Sequence, residues 1–250
     1  MPELTAVAWL LLAIAAFTVG VSKTALPGAT ILSVAIFAAL LPARQSTGAL
    51  LLLLIVADVF AVLTYRRHAN WPVLLRLAPA VLVGVVLGVV FLAFTPDQWV
   101  KRIIGVILLV LIAITLFRRR VQARVQEQAQ IGGRQRVAAA TYGTLGGFTT
   151  MVANAGGPVM SMYFLAARFE VKEFLGTAAW FFALVNLTKV PFSVGLGLIT
   201  VPEVLMDLAL VPAVVAGALL GRWLAGRIDQ KLFERLVIIL TIVGAVYLLV

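Results

Sequence analysis

The sequence predicts an all-α polytopic membrane protein, and three observations carry that prediction. Of its 250 residues, 63% are hydrophobic and only 12% charged, and the mean hydropathy is +1.11. Soluble domains run near half apolar and a quarter charged, so lipid is the solvent that suits this chain. The apolar residues form runs of spanning length, which takes about 20 residues of helix. Many of the basic residues lie in the gaps between these runs, where headgroups and the cytoplasmic face attract them. In hydrocarbon a helix satisfies its own backbone polar groups.

The elements follow in order. Residues 4–41 hold an apolar run from Leu4 to Gly20, an interruption from Gly20 to Gly28 with Lys23 and Pro27 inside it, and a short piece at 28–41. The first run carries Glu3 where a signal peptide would have a basic region, so it reads as part of the membrane body. Full crossings are predicted at 48–65, 72–94 and 98–117. Residues 137–167 repeat the first pattern: Gly146 and Gly147 lead to a break from Asn154 to Pro158, and 158–167 is short. Three further crossings are predicted at 174–196, 203–226 and 232–250. The short pieces rise too little for a full crossing at about 1.5 Å per residue. Each interrupted region therefore reads as a broken helix or re-entrant hairpin.

The two halves share ordered markers. Pro79, Gly84 and Gly88 correspond to Pro212, Gly217 and Gly221; Gly48 precedes Asp58 as Gly176 precedes Asn186; Asp97-Gln98 and Asp229-Gln230 open the last helix of each half. An internal duplication explains this order. It divides the chain into a first transmembrane repeat at 1–117, an Arg-rich cytoplasmic linker at 118–136 and a second repeat at 137–250. The linker holds Arg118, Arg119, Arg120, Arg124, Arg134 and Arg136 against Glu127. With the linker inside, Arg66, Arg67, His68, Arg168, Lys172, Arg227 and Lys231 also fall inside, and the turn 197–202 falls outside without Lys or Arg. Lys101 and Arg102 dissent. Each half then has a broken helix or hairpin plus three crossings, and the halves are inserted upside down, an inverted-topology repeat of the kind secondary transporters use.

Several functions lose their footing here. There is no cysteine, and the only histidine is His68, so thiolate sites and histidine-built haem or zinc centres are not expected. No cofactor is expected, nor nucleic acid, because the net charge of +10 is a topology signal rather than a folded basic face. Hydrolysis would need a Ser–His pair, paired acids or a metal cluster, so no catalytic residue is assigned.

The polar residues that composition leaves unexplained cluster at the two breaks. The first offers Ser22, Lys23, Thr24 and Gly28; the second offers Thr149, Thr150, Asn154, Gly156 and Gly157. A helix that starts inside the membrane presents unpaired amides and the positive end of its dipole, which suits an anion. Paired Gly/Pro interruptions point to a transporter's binding site. Lys23 either neutralises a bound oxyanion or reaches to a headgroup. Asp58 is read as the one central carboxylate of the apolar runs, with Asn186 as its counterpart and Lys189 a turn later. Those three form a coupling or charge-pairing group: Asp58 carries a proton, pairs with Lys23 in the empty site, or ties helices permanently to a lysine. Lys189 has the same readings, or anchors at the interface. The Gly84/Gly88 and Gly217/Gly221 pairs signal close helix packing, and Trp9, Trp71 and Trp99 belong to interfacial belts.

On these residues the chain resembles the TauE/SafE family of sulfite and organosulfonate exporters. The likeness runs through Gly20 to Gln45, Gly48, the Arg66 to Trp71 connection, Pro79 to Gly88, Gly146 to Pro158, and Gly176. It implies a multi-pass permease of the bacterial inner membrane for sulfite, organosulfonate or a related sulfur-containing acid. Thr149, Thr150 and Asn154 depart from the longer Gly-rich run of many relatives. The partners expected are a small anionic substrate, a coupling proton or sodium ion, membrane lipid, and a homodimeric copy. The competing readings are a cation or metal permease using Asp58, and a non-transporting membrane assembly protein.

Overall fold

Lipid-facing helices leave their large apolar side chains exposed and turn their few polar ones inward, and this chain does both. Leu75 is 70% exposed and Phe94 83%, while Asp58 is 2% and Lys189 1% exposed. The structure, a computed structural model, describes residues 4–25, 29–122, 135–167 and 169–224, together with 238–239, 242–243 and 246–249 of the last apolar run. The described residues are mostly helical and contain no strand. Their principal helices are α1 (Ala6–Thr24), α2 (Thr30–Leu40), α3 (Ala43–Tyr65), α4 (Trp71–Phe94), α5 (Asp97–Gln122), α6 (Gln135–Ala153), α7 (Gly156–Ala166), α8 (Val171–Gly195) and α9 (Val201–Leu224). The chain is a polytopic helical membrane protein. Among the described helices, α1, α3, α4, α8 and α9 are long and apolar enough to cross, and α2 is a shorter apolar helix.

The first break starts later than expected, while the second stands at Asn154 as expected. α1 runs through Gly20 to Thr24, so the first interruption starts later than Gly20 and α1 is itself of spanning length. Gly146 and Gly147, which precede the second break, lie within α6. The reason is packing. A Cβ on Gly20 would lie 2.1 Å from the Val214 carbonyl oxygen of α9, and one on Gly147 would lie 2.2 Å from the Val81 oxygen of α4. These glycines let two backbones touch rather than breaking a helix. α5 also continues past residue 117 to Gln122. Residues 123–134 of the expected linker and most of the expected crossing at 232–250 lie outside the described residues.

The packing has a paired plan. α1 lies against α9, where Gly217 abuts the Phe17 carbonyl, and α4 lies against α6, where Gly84 abuts the Thr144 carbonyl. Between these pairs, α3 packs on α8. Gly48 near the start of α3 meets Leu198 just after α8, and Gly176 near the start of α8 meets Tyr65 and His68 at the end of α3. α3 and α8 therefore run antiparallel. Polar groups at the helix ends hold this frame. Asp97 accepts the Ala43 and Arg44 amides at 3.1 and 2.8 Å, capping α3 from a neighbouring helix. Asn70 caps α4 through the Val73 amide at 3.1 Å and donates to Glu173 of α8 at 2.6 Å.

Candidate functional site

The site grows from the α3–α8 contact. Asp58 and Asn186, 128 residues apart in the chain, face each other: Asn186 Nδ2 donates to Asp58 Oδ2 at 2.6 Å. The other carboxylate oxygen, Oδ1, meets Lys23 Nζ of α1 at 2.6 Å. Lys23 also lies 4.3 Å from the centre of the Phe182 ring, one helical turn before Asn186, where the ring face favours a cation. Asp58 is thus engaged on both oxygens, although it is only 2% exposed.

Lys189 has different company. It donates to Asn154 Oδ1 at 2.6 Å and reaches Thr150 Oγ1 and Asn186 Oδ1 at 3.4 Å each. Three oxygens match the three donors of an ammonium, and all three are neutral. Asn154 ties this group to the first half by donating to the Thr47 carbonyl at 2.8 Å. Its backbone sits at φ 51°, a left-handed conformation that asparagine tolerates better than most side chains. One residue thus ends α6 and presents its amide to Lys189. Asn186 then links the Lys23–Asp58 pair to Lys189, donating to Asp58 and accepting from Lys189.

A cavity opens beside this cluster. Its walls include Ser22 and Lys23 of α1, Thr30 of α2, Asp58 of α3, Thr150 and Asn154 of the second break, Gly157 of α7 and Asn186 of α8. The two interrupted regions therefore converge on one space. It extends past Ala61 on α3 and past Phe182, Ala178 and Leu175 on α8, toward the end where Tyr65 meets Gly176. On the opposite side Leu54 and the Asn154–Thr47 bond stand in the way. Each short helix begins at the wall. The first amide of α2, Thr30 N, is held by Ser22 Oγ at 3.1 Å, and the two hydroxyls are 2.9 Å apart. α7 begins with Gly156 and Gly157. A Cβ at Gly157 would meet nothing within 4 Å, whereas one at Gly156 would press on Thr150 and the Gly146 carbonyl.

The remaining expected residues are placed less centrally. Thr24 and Thr149 turn their hydroxyls onto their own helices, to the Gly20 and Leu145 carbonyls at 3.0 and 2.8 Å. Neither they nor Gly156 are in the cavity wall. Gly28 lies outside the described residues. Thr30 and Phe182 enter the site without having been foreseen. Thr30 could have been found as the first polar residue after the break, and Phe182 as the position one turn before Asn186. Asp58 is also not the sole buried carboxylate of the apolar runs. Asp207 of α9 is 3% exposed, and neither of its oxygens has a hydrogen-bond partner among the described residues. In the sequence it stands six residues into α9, close to Glu203, where an acidic residue near a helix end draws no notice. Glu203 itself accepts from the amide and hydroxyl of Thr200, and Asp207 is not in the cavity wall.

Chemically, the cluster is two ammonium groups around one carboxylate, with hydroxyls, amides and two helix starts facing a common space. It can offer a negative guest charge and hydrogen bonds. Among the described residues no group of three or more His, Asp or Glu is arranged to hold a metal ion. In comparison with known proteins, a family model described as Sulfite exporter TauE/SafE matches residues 12–248. No curated protein and no solved structure matches the chain.

Proposed function

Because the chain belongs to the sulfite exporter TauE/SafE family, a family of membrane transporters, we propose that it is a permease for a small sulfur-containing anion, sulfite or an organosulfonate, working by alternating access at the two helix breaks. The observation that carries this reading is Lys189. It is 1% exposed and its three polar contacts are neutral oxygens. A buried ammonium in such company has no counter-charge in contact with it, Asp58 being paired with Lys23, and an undercompensated charge in a membrane interior is costly. An anion in the adjacent cavity would supply the missing charge.

The antiparallel packing of α3 and α8, and the contact of Asp58 with its counterpart Asn186, support halves that are oppositely inserted. A residue touches its own counterpart only near the axis that relates two repeats. With the basic connections on the inside, the cavity faces a bacterial cytoplasm, and the Leu54 side is the closed outer gate. The competing cation permease is disfavoured because Lys23 and Asn186 already occupy Asp58.

Flux of radiolabelled sulfite into proteoliposomes tests the reading. Saturable flux is expected with the wild type and near-background flux with Lys189→Met, in protein that retains its helix content by circular dichroism. Wild-type vesicles no faster than protein-free ones would overturn the assignment.

A further inference from the structure

The charge count of the site goes further than its sign. Lys23, Asp58 and Lys189 are the ionisable side chains of the cluster. Elsewhere around it, α2 and α7 carry no Asp, Glu, His, Lys or Arg, and α6 carries none between residues 137 and 153. One carboxylate between two ammonium groups leaves one positive charge. Lys189 is read as ammonium because it faces three acceptors at once. Asp58 is read as carboxylate because it meets an ammonium and an amide N–H, both donors.

We infer that this permease selects its substrate by valence, preferring a singly charged oxyanion over a doubly charged one of similar shape, and that Asp58 sets that preference. The inference rests on the anion-permease reading and adds a substrate class to it. A monoanion brings the buried cluster to neutrality. A dianion leaves it one negative charge in excess, and the membrane interior penalises that excess as it penalises the original positive charge. Asp58 is in effect a resident anion that has already used up Lys23. Its Oδ1 occupies the place beside Lys23 Nζ that a second negative charge on the guest would need. Asn186 reinforces this assignment, since its amide faces Asp58 with its N–H and Lys189 with its oxygen. Turning it over would set two acceptors against each other and two donors against each other.

Methanesulfonate and sulfate make the test, being tetrahedral oxyanions that differ chiefly in charge. Each is titrated against purified protein by thermal shift, and each competes against labelled methanesulfonate in proteoliposomes. The wild type is expected to favour methanesulfonate by about tenfold or more, as the cost of an unmatched charge implies. Asp58→Asn raises the site charge by one and should reverse the order, sulfate then binding more tightly. The Lys23→Gln/Asp58→Asn double variant returns the charge to its original value and should prefer methanesulfonate again, even if the single variant folds poorly. Equal affinities in the wild type, or an Asp58→Asn protein with unchanged order, would overturn the valence proposal and leave the permease standing. Failure of the wild type to bind or carry either anion, or sulfite, would remove both.

Discussion

Lys23 and Lys189 sit on opposite halves of one polar cluster and illustrate two ways to keep a lysine inside a membrane. Lys23 has a full counter-ion at 2.6 Å and an aromatic face at 4.3 Å. Lys189 has three neutral oxygens and less exposure still. The first arrangement is electrostatically complete and holds α1 to α3. The second is sterically complete but electrically open. Burial of a charge thus says little about its role until the partner is known, because pairing and solvation by dipoles compensate it to different degrees.

Breaking the complete pair should cost the most. Lys23→Met leaves Asp58 with Asn186 alone and is expected to destabilise the fold by about 3–5 kcal/mol, measured by denaturant unfolding in detergent micelles. Adding Asp58→Asn should recover most of that loss. If Lys23→Met unfolds like the wild type, the ion pair contributes little and the contrast between the two lysines fails. Asn186→Leu removes the bridge between Asp58 and Lys189, taking a donor from the one and an acceptor from the other. About 1–3 kcal/mol is the expected loss for groups stranded in this way, with reduced anion binding by thermal shift.

Smaller effects sharpen the contrast between residues that face the cavity and neighbours that do not. Gly156→Ala forces a methyl against Thr150 and the Gly146 carbonyl, at 2.9 and 3.0 Å, and should cost about 1 kcal/mol or more. Gly157→Ala enters open space, so its stability should match or exceed the wild type while the added methyl narrows the site and lowers flux. Equal melting curves for the two variants would contradict this placement. Thr149→Val is expected to change stability by only about 0.5 kcal/mol, as a hydroxyl bonded to its own helix adds little. Sulfite flux in that variant should stay near wild type, whereas Thr150→Val, which loses a contact of Lys189, should slow it.

The amino-acid order alone determined that this chain is helical and lipid-solvated, because hydropathy and run length are local properties that need no knowledge of neighbours. It also located the second break at Asn154, where an asparagine–glycine–proline stretch stops one helix and starts another, and it gathered Ser22, Lys23, Thr150, Asn154 and Gly157 as candidates for a single space. Only the packed molecule decided who meets whom. Lys23 lies 35 residues from Asp58 and Lys189 lies 35 from Asn154, and nothing in either interval says which lysine takes the carboxylate. The role of Gly20 was hidden for the same reason: a glycine that interrupts a helix and one that admits another backbone are identical in the sequence. Through-space distance separates them, and that distance is set by helices brought together from both halves of the chain.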